Sequence, residues 1–337
     1  MTTGARPGWL KRLKPDTYIL LIVGMVVLAS VLPAQGMAAP IVSTATKLGI
    51  GLLFFLHGAR LSRSAVLKGI LHWRLHLVVL GSTFVLFPLL CIGMTRLPAW
   101  IIPAGLVPGL IYLGCLPSTI QSSIGFTSIA RGNVAATVAA ATASNLLGMF
   151  LTPIMAGILL QTQGGGISLH GLESIGLQLL APFLAGQVLH QWIGPWVIRN
   201  GKMLALVDRG SILLVVYSAF SQAVVSGFWQ RTGAPELLQL LLICGTLLVL
   251  VLLATVTAAR SLGFSKEDEI TIVFCGSKKS LASGVPMASV LFPGASLGMM
   301  LLPIMIFHQI QLMACTLIAQ RYAERSQTGA DAAGSTV

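Results

Sequence analysis

Apolar runs of about twenty residues recur along the whole 337-residue chain, and they restrict its folding more than any other feature. A helix needs ~20 apolar residues to cross a ~30 Å hydrocarbon core. In lipid the backbone must satisfy its own polar groups, so irregular segments survive only against protein or water. The apolar windows lie near 18–32, 43–60, 73–95, 101–130, 133–160, 173–192, 210–228, 237–259, 268–291 and 296–320. Charged residues make up only 9% of the chain, against about 25% in soluble domains. The sequence thus predicts an all-α polytopic membrane protein with ten transmembrane helices and a lipid bilayer around it.

Loop charge sets the orientation. With the N-terminus inside, the cytoplasmic side holds Arg6, Lys11, Arg12, Lys14, Arg60, Arg63, Lys68, Arg74, Arg131, Arg199, Lys202, Arg209, Arg260, Lys266, Arg321 and Arg325. Only Lys47, Arg96 and Arg231 fall to the outer loops. This asymmetry predicts an inner-membrane protein with both termini cytoplasmic. It also explains the net charge of +12 without nucleic acid, because the basic residues form no continuous stripe. The basic start and the apolar run at 18–32 resemble a signal peptide, but the even span count favours a retained first helix. Cys91, Cys115, Cys244, Cys275 and Cys315 all sit in apolar segments, so neither a disulfide framework nor a metal cluster is expected. No cofactor is expected, and the sequence leaves the oligomeric state open.

The segment LGMFLTPIM (147–155) returns as LGMMLLPIM (297–305), identical at seven of nine positions. Five spans separate the copies, an odd number, so the halves are expected to be inverted: 1–161 and 162–323, with a disordered tail at 324–337. Spans four and nine are equivalent under this repeat, and both are interrupted. Span four breaks at Cys115-Leu-Pro-Ser and the polar run Thr119 to Ser123; span nine breaks at Gly276-Ser277-Lys278-Lys279. Inverted repeats with broken helices are the pattern of secondary transporters, which bind substrate near the bilayer midplane.

Lys278 and Lys279 lie about ten residues, or ~15 Å, into span nine. Snorkelling of the long side chains to an interface is the competing explanation, but the depth disfavours it, and charges inside a membrane are functional by default. The nine acidic residues all lie in loops, tails or first turns, so no carboxylate stands at mid-depth to neutralise a cation. The expected site comprises Ser122, Ser123, Thr137, Thr142, Ser277, Lys278, Lys279, His308 and Gln309. Its central idea is a tethered ammonium among the hydroxyls of Ser122, Ser123, Thr137 and Thr142, with one lysine turned to a cavity. His57 and Gln311 are further polar side chains within spans. For His57 a packing role competes equally, and Ser144 and Asn145 read as interhelical hydrogen-bonding residues. His72, His76, His170 and His190 read as interfacial.

Cys115-Leu-Pro-Ser, then ARGNVA (130–135), FCGSKKS (274–280) and GVPM (284–287), resemble the bile acid/sodium symporter superfamily, and within it the sodium-bile-acid-symporter-like branch. The resemblance implies ten helices in a core and a panel domain, crossing half-helices at spans four and nine, and a substrate cavity between the domains. In the sodium-coupled branch span nine carries a sodium-binding glutamate and an amide pair. Here Phe274 stands at the glutamate and Lys278 and Lys279 at the amides. The expected function is alternating-access transport of a small organic anion without the usual sodium sites, either proton-coupled or with lysine in place of sodium. Competing readings are a sodium-coupled symporter, a membrane regulator that no longer transports, and a hydrolase using Ser277 or Ser280 with a lysine. No HExxH, CxxC or P-loop signature is present, so an enzyme is not expected.

Overall fold

The structure, a computed structural model, describes residues 17–60, 72–161, 176–231, 233–292 and 297–334. The basic cluster from Arg6 to Lys14, Arg63, Lys68, His170 and Glu173 lie outside the described residues. Among the described residues there is no strand.

Each apolar window holds helix. The elements are α1 (Thr17–Val31), α2 (Ala38–Arg60), α3 (Trp73–Met94), α4 (Val107–Cys115), α5 (Ile120–Ile129) and α6 (Val134–Gln161). They continue as α7 (Ala181–Arg199), α8 (Gly201–Val225), α9 (Ala234–Ser261), α10 (Lys266–Gly276), α11 (Leu281–Leu291) and α12 (Leu297–Gly334). By length and composition six of these can each cross a bilayer, and the bent pair formed by α4 and α5 makes a seventh. The last helix runs on to Gly334, into the stretch where the sequence reading placed a disordered tail.

Two sets of helices pack among themselves. In one, α2 lies along α7 and α8, and α1 lies along α8. In the other, α3 to α6 pack with α9 to α12, and α8 bridges the sets through α11 and α12. The α2–α7 crossing depends on glycine. A Cβ on Gly58 would sit 2.0 Å from the carbonyl oxygen of Phe183, and one on Gly186 2.0 Å from that of Phe55. Small residues that let backbones touch are the usual device of membrane helix pairs. His190 seals this crossing by bonding the Ala59 carbonyl at 2.7 Å, so it is a packing residue rather than an interfacial one.

Bonds between distant loops show which helix ends share a side. The Tyr217 hydroxyl donates to Leu32 O and the Trp229 indole to Ser30 Oγ at one end. At the other, Arg60 pairs with Asp208 and Arg74 donates to Leu262 O. The ARGN stretch, residues 130–133, belongs to this second end. Arg131 takes the left-handed conformation (φ 59°) that closes α5. Asn133 then caps α6 by accepting from Ala136 N, and its amide donates to Asp268 at the start of α10. The turn is thus tied to the entrance of the second broken helix.

Candidate functional site at the meeting of two broken helices

The chain leaves helical geometry between α4 and α5, where Leu116 and Thr119 are extended and Pro117 cannot donate. It does so again between α10 and α11, over Ser277 to Ser280. The two breaks are hydrogen-bonded to each other. Ser118 Oγ donates to Cys275 O at 2.6 Å and Ser123 Oγ to Phe274 O at 2.9 Å. Thr119 Oγ1 donates to Lys279 O at 3.0 Å, and Ser280 N donates to Pro117 O at 2.9 Å. Helix α6 supports the first break: Thr152 Oγ1 donates to Cys115 O, Ser144 Oγ accepts from Ser118 N, and Asn145 donates to Ser118 O. Gly148 makes that approach possible, since a Cβ there would lie 2.6 Å from Pro117.

Lys279 is 1% exposed, and its ammonium donates three bonds of 2.7 Å to the carbonyl oxygens of Thr83, Gly114 and Leu116. An ammonium has three donors, so none remains. Gly114 and Leu116 belong to the end of α4, where helical carbonyls lack intrahelical partners and the dipole favours a cation. The third oxygen comes from a π-helical turn, Ser82–Leu86, within α3. Such turns are rare and concentrate at functional sites. Phe87 lies below the cation, 4.2 Å from ammonium to ring centre. On the opposite side Gln311 accepts from Lys279 N and donates to Lys279 O, each at 2.9 Å, replacing the backbone pairing lost at the break.

Lys278 has a different environment. Its side chain is 0% exposed, and its ammonium has no hydrogen-bond partner. It lies 3.8 Å from the ring centre of Phe126 and 5.4 Å from that of Phe274. Phe274 therefore meets the cation with the negative face of an aromatic ring, where the family resemblance implied a carboxylate.

The sequence reading surrounded an ammonium with the hydroxyls of Ser122, Ser123, Thr137 and Thr142. The oxygens around Lys279 are instead backbone carbonyls. Ser123 joins the two breaks, as described, while Thr137 shares hydroxyl bonds of 3.1 Å with Thr127 and Thr271. The Ser122 hydroxyl is buried without a partner, and Thr142 is half-buried away from these bonds. Ser277 bonds back to Val273 O and Ser280 bonds to Ser283, so neither hydroxyl is turned to a lysine. His308 adjoins the site through Gln311, at 2.9 Å; the Gln309 side-chain oxygen is buried and unpartnered. His57 bonds to Leu53 O within its own helix, as a packing residue does.

Gln311 was visible as an amide within an apolar span, but nothing in the sequence tied it to the break. The carbonyl acceptors have no side-chain signature at all. The family resemblance implied a cavity between two domains, and a cleft of about 170 Å³ lies between the two helix sets, lined mainly by α2, α8 and α11, whose lining residues the sequence did not single out. Lys47, counted in the sequence as an outer-loop residue, lies within α2 and lines this cleft; Lys278 and Lys279 do not.

The family model of the SBF-like CPA transporter family matches residues 16–324. The chain is 54% identical to an uncharacterized protein of Pseudomonas aeruginosa over 322 residues, covering 95% of this chain and 97% of that one. It is 51% identical to the Escherichia coli K12 protein named "Putative symporter YfeH", covering 93% and 94% of the two chains. Similarity extends at 25% identity to sodium/bile acid cotransporter 7 of Rattus norvegicus, over 90% of this chain and 91% of the relative. The chain belongs to the SBF-like CPA transporter family, and it is a multi-pass membrane protein.

Proposed function

We propose that this protein is a secondary active transporter of a small organic anion, set in the inner membrane with both termini cytoplasmic. Two inverted five-helix halves form ten spans, counting α4 with α5 and α10 with α11 as one broken span each. Access alternates as the set containing α1, α2, α7 and α8 moves against the rest. The observation that carries this reading is the Lys279 ammonium held by three carbonyls where two broken helices meet. A free cation in that position would need oxygen ligands from the same backbone ends. A tethered one supplies the charge permanently, so the resting state needs no sodium ion to hold α4 against α10. With all three donors engaged, Lys279 acts as a fixed charge rather than as a proton carrier or a direct substrate ligand. Helices α5 and α11 begin at the breaks and direct their positive ends inward, which favours an anionic substrate.

The test is flux in proteoliposomes. Small carboxylates should enter at equal rates with sodium, potassium or choline outside. Uptake that requires sodium contradicts the fixed-charge reading, and absence of flux for every carboxylate tried contradicts transport of this class.

A further inference from the structure

Resting on that reading, we propose that Lys47 is the residue by which the cleft between the helix sets recognises its substrate, a small monoanion such as a carboxylate. The two lysines of the break are unsuited to this role. Both are buried, Lys279 has no donor left, and Lys278 faces two phenylalanine rings. Neither lines the cleft.

Lys47 does. It lies nine residues into α2, about 13 Å from the helix start at 1.5 Å per residue, well below the loop that precedes it. The surrounding wall is mixed and holds no acid: Ser43, Thr46, Gln178, Ser218, Gln222 and Ser289 alternate with aliphatic side chains such as Ile50 and Val215. Among the described residues that line the cleft, Lys47 is the one charged group, and no ion pair engages it. Thr46 and Ser289 spend their hydroxyl donors on Val42 O and Pro286 O, so the ammonium is the chief donor the cleft offers, and it suits one carboxylate or sulfonate. One cation matches one negative charge. The walls come from α2 and α8 on one side and α11 on the other, so an anion bound here touches both helix sets at once. A ligand in that position would sense their relative movement. The volume, about 170 Å³, is below the 300–1,000 Å³ of pockets for drug-sized ligands. The cleft volume in this state therefore favours a small anion over a steroid-sized one.

The test works whatever the natural substrate is. The five native cysteines are buried, so Gln222→Cys places a single reactive thiol in the cleft. Its labelling rate is measured in the purified full chain with a methanethiosulfonate carrying either a sulfonate or a trimethylammonium group. The comparison is made with Lys47 present and with Lys47→Gln or Lys47→Arg. Removing the charge should slow the anionic reagent and speed the cationic one, each by roughly three-fold or more, as expected for a unit charge lining the same small cleft. Arginine should restore the native ratio. Acetate, pyruvate or benzoate should protect the thiol when Lys47 or arginine is present and not with glutamine; choline and taurocholate should not protect. An unchanged reagent ratio in Lys47→Gln overturns the proposal, as does protection that survives it, protection by taurocholate alone, or no protection by any of the three carboxylates. A protecting carboxylate that fails to cross proteoliposomes counts against the transport reading and leaves the recognition site standing.

Discussion

Replacing Lys279 with methionine keeps the length of the stem and removes the three donors. The carbonyls of Thr83, Gly114 and Leu116 then remain buried without the partner they have now. Hydrogen bonds to charged groups contribute roughly 1.5–3 kcal/mol each, net of desolvation, in soluble proteins. Interhelical bonds in membrane bundles average about 0.6 kcal/mol. Three such bonds bracket the loss at about 2–9 kcal/mol. Lys278→Met is the matched control, because that ammonium has no hydrogen bond to lose. It gives up cation–π contacts of about 0.5–2 kcal/mol and relieves the burial of a charge, a penalty of several kcal/mol. The net effect should be neutral or stabilising. Thermal unfolding of the two purified variants, followed by size-exclusion of the heated sample, reads both. At about 2 °C per kcal/mol for a chain this long, Lys279→Met should melt about 4–18 °C below wild type. A Lys279→Met protein as stable as wild type refutes the carbonyl cradle. So does a Lys278→Met protein that is the less stable of the two.

Other outcomes follow from the same contacts. Gly186→Ala forces a Cβ to within 2.0 Å of Phe55 O and should destabilise by about 1–3 kcal/mol or more, whereas Gly51→Ala, with nothing within 4 Å, should be close to neutral in the same melting assay. Gln311→Leu removes both bonds to the Lys279 backbone and should cost about 1–3 kcal/mol; an unchanged melting temperature would show that the break needs no such support. Thr137→Cys with Thr271→Cys should form a disulfide on mild oxidation, since the two hydroxyls are 3.1 Å apart across α6 and α10; failure to crosslink under any condition tried would place those helices apart.

The positions of the helices were legible because apolar windows and helix breakers report directly on bilayer thickness and backbone pairing. Pro117 and Gly276 marked both breaks. The start of α2 was read five residues late: proline is tolerated in a first turn, so Pro40 lies inside the helix rather than before it. Lys47 falls within the apolar window 43–60, and only the loop-charge count assigned it to the outer side. The lysine pair pointed to the site, but not to its chemistry. Adjacent residues in a non-helical break turn to different neighbours, Lys279 to α3 and α4 and Lys278 to Phe126 on α5. The acceptors are backbone atoms, identical at every residue, and the π-helical turn that supplies one of them has no sequence pattern. Side-chain oxygens, hydroxyls above all, are what a sequence displays, and the expected ligand set followed from that.

The central claim is that a tethered ammonium occupies the place of a bound cation. It is tested most directly by the melting temperature of the purified wild-type protein in sodium, potassium and choline chloride at equal concentration, beside Lys279→Ala. A fixed ammonium predicts one wild-type temperature in all three salts, and a variant that sodium or added methylammonium stabilises by filling the vacated carbonyl cradle. A wild-type melting temperature that rises with sodium alone would contradict it.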